Sequence, residues 1–157
     1  DITTAFQPDF VWLKNRDDTY NHILQDVVRG FATDTKLASN EAWASDNASL
    51  SSNYGYISAA DSDSFSLATT SSWGQVNESG NDFVSWYWKA GGAAVANTTG
   101  TIDALVSANT TAGFSIVKFN EAGTGVAATI GHGLSQAPEL VIGKPYTHGD
   151  NWRVGSD

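Results

Sequence analysis

The 157-residue chain contains no cysteine, no methionine and only three prolines, and its Lys and Arg number 8 against 17 Asp and Glu. Without cysteine there are no disulfides and no thiolate-ligated metals, so stability has to come from packing. With a net charge of −9, the chain would hold a phosphate backbone only through a local patch working against its overall field, which sets nucleic acid aside as a partner. No apolar run approaches the roughly 18 residues of a membrane-spanning helix, and the start at Asp1 has neither the basic nor the hydrophobic region of a signal peptide. Membrane insertion is therefore not expected. The absent initiator methionine suggests a processed chain or a piece of a longer one.

What is abundant is small, polar and turn-forming: 17 Ser, 15 Thr, 15 Gly and 11 Asn, with six Trp spread along the chain. That mixture favours short strands joined by turns over helices. A chain of this length in one domain buries roughly 70% of its unfolded surface, so a single real core is expected.

FVWLK (10–14) is an apolar run after Pro8, and RDDTYN then supplies turn residues, giving strand and turn. HILQDVVRGF (22–31) fits neither period cleanly and is read as strand. Residues 32–64 read as a long ordered connection pinned by Leu37, Trp43, Leu50, Tyr54, Tyr56 and Ile57. SFSLAT (64–69) alternates with period two and places Phe65 and Leu67 on one face. NDFVSWYWKAGG (81–92) is the strongest signal. Val84, Trp86 and Trp88 share one face, Phe83, Ser85, Tyr87 and Lys89 the other, and the reading is a central strand contacted on both faces with its Trp rings in the core. Short strands follow near Val95, over 102–106 and over 113–119, and residues 126–144 read as strand, Gly-rich turn and strand. About eight to ten short strands argue for an antiparallel β-sandwich or jelly roll.

A shift of 130 residues lays Pro138, Glu139, Leu140, Val141, Lys144, Asn151 and Val154 on Pro8, Asp9, Phe10, Val11, Lys14, Asn21 and Leu24. Four of these pairs are identical, where chance gives about one. Proline before an apolar strand and a lysine is also a common β-edge pattern. The duplication reading divides the chain into a β-sandwich module, 1–136, and a segment, 137–157, that is the opening hairpin of a second copy or part of the same sandwich. Strands at the two ends would then pair across unit boundaries or with a neighbouring chain.

The blocks FQPDFVWLKNRDD (6–18), SFSLATTSSWGQVNESGNDFVSWYWKAGG (64–92) and AGFSIVKFNEAGTGVAATIGHGLSQAPELVIGK (112–144), with the pair Asn151 and Trp152, cover roughly half the chain. Together they resemble the β-rich modules of large virion-associated proteins of marine and cyanobacterial tailed phages, of tail-fibre, tail-associated or capsid-fibre type. The resemblance implies a lectin-like β-sandwich, a structural or adhesive role on the virion exterior and no defined catalytic site. Members usually continue into further strands where this chain stops at Asp157.

Candidate chemistry is sparse. His132 lies between two glycines, and a tight turn with Gly131 and Gly133 at positive φ explains it better than a metal or a general base. His22 and His148 stand alone, without metal-ligand spacing. The pairs Asp17, Asp18 and Asp61, Asp63 lack the glycine and distal glutamate of a calcium loop and read as Asx-rich turns. Glu41, Glu78, Glu121 and Glu139 do not make the facing carboxylates of a glycosidase. Trp86, Tyr87 and Trp88 could form a sugar platform but read as core, whereas Trp43, Tyr54 and Tyr56 in the polar connection are better placed for surface contact. The triplets at Asn47, Asn77, Asn97 and Asn109 serve as surface markers.

The expectation is an all-β, antiparallel β-sandwich or jelly-roll-like, lectin-like protein with no catalytic, metal or cofactor site. It would be a structural or adhesive component of an extracellular assembly, a phage virion fibre, tail or capsid-decoration protein, partnered by itself and by other virion proteins. Its assembly strands would be those of Pro8, Phe10, Trp12 and Lys14 and of Pro138, Leu140, Ile142 and Lys144, with Trp152. The alternatives are a carbohydrate-binding module that reads host-surface glycan through Trp43, Tyr54 and Tyr56, and a subunit of a bacterial extracellular filament.

Overall fold

The computed structural model describes residues 1–45, 47, 54–68, 74–121, 123, 125 and 127–156; Leu50 and the strand end expected at Thr69 lie outside them. Over these residues the chain is all-β, and its named strands pair antiparallel. One sheet holds β1 (Ile2–Thr3), β6 (Ser64–Ala68) and β5 (Tyr56–Asp61), in the order β1-β6-β5. A second holds β2 (Phe10–Asn15), β3 (Ile23–Asp26), β4 (Leu37–Ala38) and β7 (Phe83–Trp88), in the order β4-β3-β2-β7. The third is β8 (Val95–Asn97), β9 (Ala104–Asn109) and β10 (Phe114–Phe119), and β11 (Leu140–Gly143) with β12 (Arg153–Ser156) forms a separate hairpin.

The core lies between the first two sheets. Val11 and Leu13 of β2, Ile23 of β3, Ala38, Ile57 of β5, Phe65 of β6 and Val76 make one buried cluster. The strict alternation of β2 puts Val11, Leu13 and Asn15 into it and turns Phe10, Trp12 and Lys14 away. Burying such aliphatic side chains contributes roughly 1.5–3 kcal/mol each, the main favourable term in a fold without disulfides.

Polar side chains fasten the layers where no ladder can. Gln25, fully buried on β3, accepts from Ile57 N–H (2.7 Å) and donates to Ala32 O (2.9 Å) and Thr35 Oγ1 (3.1 Å), tying β3 to β5 across the sandwich. Lys36 is 0% exposed and donates to Gly55 O (2.8 Å); burial pushes its ammonium down to about 8. The buried Asp9 carboxylate accepts from Ala90 N–H (2.8 Å) and Gly92 N–H (3.1 Å), fixing the exit from β7. Ser107 of β9 then accepts from Gly91 N–H and donates to Gly92 O, bringing the third sheet against that exit.

Three expectations are corrected. Tyr56 to Asp61 is a strand, β5, and not part of a connection; the register shift between Ile57 and Ala59 breaks the alternation that would have marked it. Residues 127–129 are not strand, and Ile130 makes only isolated bridges to Gly100 and Ile102. The third concerns β7, which among the described residues is an edge strand and not a central one. Its core face is that of Phe83 and Tyr87, with Tyr87 against Phe65 (6.3 Å between centroids) and Phe6 (5.6 Å). Trp86 and Trp88 point the other way and are 46% and 39% exposed. The two-residue period was right; the Phe83 and Tyr87 face packs into the core, while the other face meets the third sheet only at its Trp88 end, through Phe114.

Candidate functional site

Two surface features stand out, an aromatic strip and a terminal hairpin. The strip follows from register: Trp12 sits opposite Trp86 and Phe10 opposite Trp88 on the outer face of the β2–β7 pair. Trp12 meets Trp86 edge-on at 5.7 Å and His22 at 5.9 Å, and its Nε1–H donates to His22 Nδ1 (3.1 Å). Burial, with Lys14 nearby, lowers the His22 pKa and favours the neutral ring that accepts this bond. At the other end Phe114 of β10 stacks on Trp88 at 6.1 Å and meets Phe10 at 6.1 Å, so that end is a junction between sheets and the Trp86 end is the more open.

The hairpin repeats the first one. β2 pairs β3 with Phe10 opposite Asp26 and Leu13 opposite Ile23, while β11 pairs β12 with Leu140 opposite Ser156 and Gly143 opposite Arg153. Adding 130 to each residue of the first set gives the second, so register and connection length coincide. The environments do not. β2 is paired on both sides, by β3 and β7, whereas among the described residues β11 has only β12. Leu140, Val141, Ile142 and Val154 are 58%, 54%, 58% and 67% exposed. On the face that builds the core in the first hairpin, Val11, Leu13, Gln25 and Ile23 are matched by Val141, Gly143, Gly155 and Arg153. Two glycines and an arginine do not specify a second core of the same kind.

The hairpin is held in a fixed place by its connection. Trp152 Nε1–H donates to Ala38 O (3.0 Å) and Glu41 O (3.1 Å), Lys144 Nζ donates to Ala42 O (3.1 Å) and Asp150 O (2.6 Å), and Ser45 N–H donates to Tyr146 O (2.9 Å). Burial lowers the Lys144 pKa against the opposing pull of Asp150.

The assembly residues expected from the sequence lie in two different settings. Phe10, Trp12 and Lys14 belong to β2, whose two edges are paired by β3 and β7, and Pro8 is buried just before that strand. Leu140 and Ile142 are exposed on an open strand, Pro138 is half-buried beside them, and Lys144 and Trp152 serve as anchors. Trp43 packs half-buried against the core cluster, and Tyr54 and Tyr56 are half-buried, so these rings do not form an exposed row. Trp86 and Trp88 do, and their alternation was the signal; which face lay outward was not in it.

The remaining candidates have local duties. His132 Nδ1 accepts from Leu134 N–H, and its carbonyl accepts from Ser115 Oγ. Gly133 has φ +73°, but Gly131 does not lie in that region, and a Cβ there would collide with Asn97 and Thr99. Asp17 and Asp18 accept from Asp82 N–H and Asn81 Nδ2, with Asn15 Oδ1 capping both backbone amides in an Asx turn. Asp61 ends β5, and Asp63 lies in the tight turn between β5 and β6. A shallow cleft of about 280 Å³ on the third sheet is lined by Val95, Asn97, Val106 and Ser107 among others, and the Ser107 hydroxyl is already engaged by Gly91 and Gly92.

No curated protein and no solved structure matches the chain. A family model covers it from end to end: over residues 1–157 it matches the Domain of unknown function (DUF7483), and the chain belongs to that family.

Proposed function

We propose that this domain is a non-enzymatic structural module that builds an extracellular assembly by strand addition. The observation that carries the reading is the open β11–β12 hairpin, which keeps the register of β2–β3 while its edges, among the described residues, are unpaired and its apolar side chains exposed. An open, uncharged strand edge is a template for another chain unless it is covered. The sequence resemblance to virion modules of tailed phages supports a place on a virion exterior, beside other virion proteins. A bacterial extracellular filament would use the same chemistry. Static light scattering over a range of concentrations tests the proposal: the wild-type mass rises above the monomer's 16.6 kDa. Ile142→Lys, which puts a charge on the open strand, holds the mass at the monomer value. A wild-type chain that stays monomeric throughout contradicts it.

One observation favours a second reading, carbohydrate binding. The exposed Trp86 and Trp88 rings, with Trp12 beside them, offer flat apolar faces of the kind that pyranose rings stack on. Glycan-array binding abolished by Trp86→Ala, with the fold intact, would support it; equal binding by the variant would end it.

A further inference from the structure

We propose that β11 of one copy adds antiparallel to the second edge of β7 in another copy, joining chains head to tail; this rests on the assembly reading above and names its partner surface. The occupant follows from the chain's own geometry. β2, the counterpart of β11, already pairs with β7 through one edge, and β7 ends its sheet with the other edge free of strands among the described residues. That edge presents usable backbone groups. Arg16 N–H donates to Asp82 O (2.8 Å), which in the observed register makes these two a hydrogen-bonded pair. By alternation Val84, Trp86 and Trp88 turn their amides and carbonyls toward β2, and Phe83, Ser85 and Tyr87 turn theirs outward.

Charge sets the direction. Neither β7 nor β11 contains a charged residue, but Asp82 precedes β7 and Lys89 follows it, while Glu139 precedes β11 and Lys144 follows it. Antiparallel addition brings Glu139 to Lys89 and the Lys144 end to the Asp82 end; parallel addition would bring like charges together. Glu139 and Lys89 are both exposed. The substituted inner face of the hairpin favours the same solution. With Gly143, Gly155 and Arg153 where the first hairpin has Leu13, Gln25 and Ile23, it lacks the residues for a sandwich of its own. It keeps what is needed to extend a finished sheet through the backbone. Its anchors at Ala38, Glu41 and Ala42 hold it ordered beforehand, which lowers the entropic cost of docking. Because the two surfaces differ, the contact is heterologous and repeats without closing unless the rotation makes a ring.

Complementation of two blocked chains tests the pairing. Ile142→Lys blocks the hairpin and leaves β7 intact, while Ser85→Pro removes an outward amide from β7 and leaves the hairpin intact. Each variant alone stays monomeric, and an equimolar mixture forms a 1:1 dimer and nothing larger. A wild-type chain that associates while the mixture stays monomeric, or a Ser85→Pro chain that still self-associates, overturns this pairing and leaves the assembly reading standing. A wild-type chain that never associates overturns both. Charge reversal decides the matter if Ser85→Pro fails to fold. Glu139→Lys weakens association at least tenfold and adding Lys89→Glu restores it, whereas a double variant as weak as the single one overturns the pairing.

Discussion

Replacing Trp152 with Phe isolates the anchoring of the hairpin from its edge. The indole N–H is shared between Ala38 O at 3.0 Å and Glu41 O at 3.1 Å, and Phe keeps most of the ring while removing that donor. A shared hydrogen bond of this kind is worth about 1–1.5 kcal/mol net, with a further fraction from leaving the half-covered carbonyls short of a partner. The loss therefore amounts to roughly 1.5 kcal/mol, a factor of about ten in the local opening equilibrium. Of the seven core-cluster residues only Ala38 is involved, and through its carbonyl and not its buried side chain, so the global melting temperature should change by no more than the few degrees that this energy allows in a domain of about 150 residues. Hydrogen exchange followed by mass spectrometry separates the two levels. Amides of β11 and β12 should exchange about tenfold faster in dilute protein, with those of β2 and β3 unchanged. Equal exchange in β11 and β12 would show that the indole bond does not hold the hairpin, and a uniform acceleration across all sheets would show that the hairpin belongs to the global core.

Gln25→Leu removes the bonds to Ile57, Ala32 and Thr35 and leaves the Ile57 amide buried without its partner, while apolar burial offsets part of the loss. A net destabilisation of about 2–3 kcal/mol is expected in urea unfolding, with an unchanged slope; a neutral result would remove Gln25 as the tie between sheets. Lys36 has its folded pKa lowered to about 8 from 10.5, so between those values the unfolded chain binds the extra proton and stability rises with pH, by at most on the order of 3 kcal/mol. Lys36→Met should abolish that rise. A wild-type stability that is flat or falls from pH 8 to 10 would contradict the buried ammonium.

The alternation in β6 and β7 was legible in the sequence because strands show their period directly, whereas β2 read only as an apolar run; the echo of 6–15 in 136–145 pointed to a hairpin whose register the structure reproduces at the same offset. What period two does not contain is which face is covered. In β7 both faces are rich in aromatics, and the side taken by Phe83 and Tyr87 becomes core only because β6 brings Phe65 there. β5 was hidden by its small residues Ser58, Ala59 and Ala60 and by its irregular register. The roles of Gln25 and Lys36 arise from strands far away in sequence, and no local pattern marks a polar side chain as fully buried. Edge status is equally non-local: Pro8 to Lys14 and Pro138 to Lys144 read alike, and only sheet order shows that the first strand is enclosed and the second open.

In the proposed assembly, copies of this chain meet at the open edge of β11. The most direct test is hydrogen exchange of the wild-type protein at low and high concentration. Slower exchange on concentration is expected in β11 and, through the proposed partner edge, at Phe83, Ser85 and Tyr87 of β7, with the interior strands β2 and β3 unaffected. Association without any added protection in β11 would contradict it.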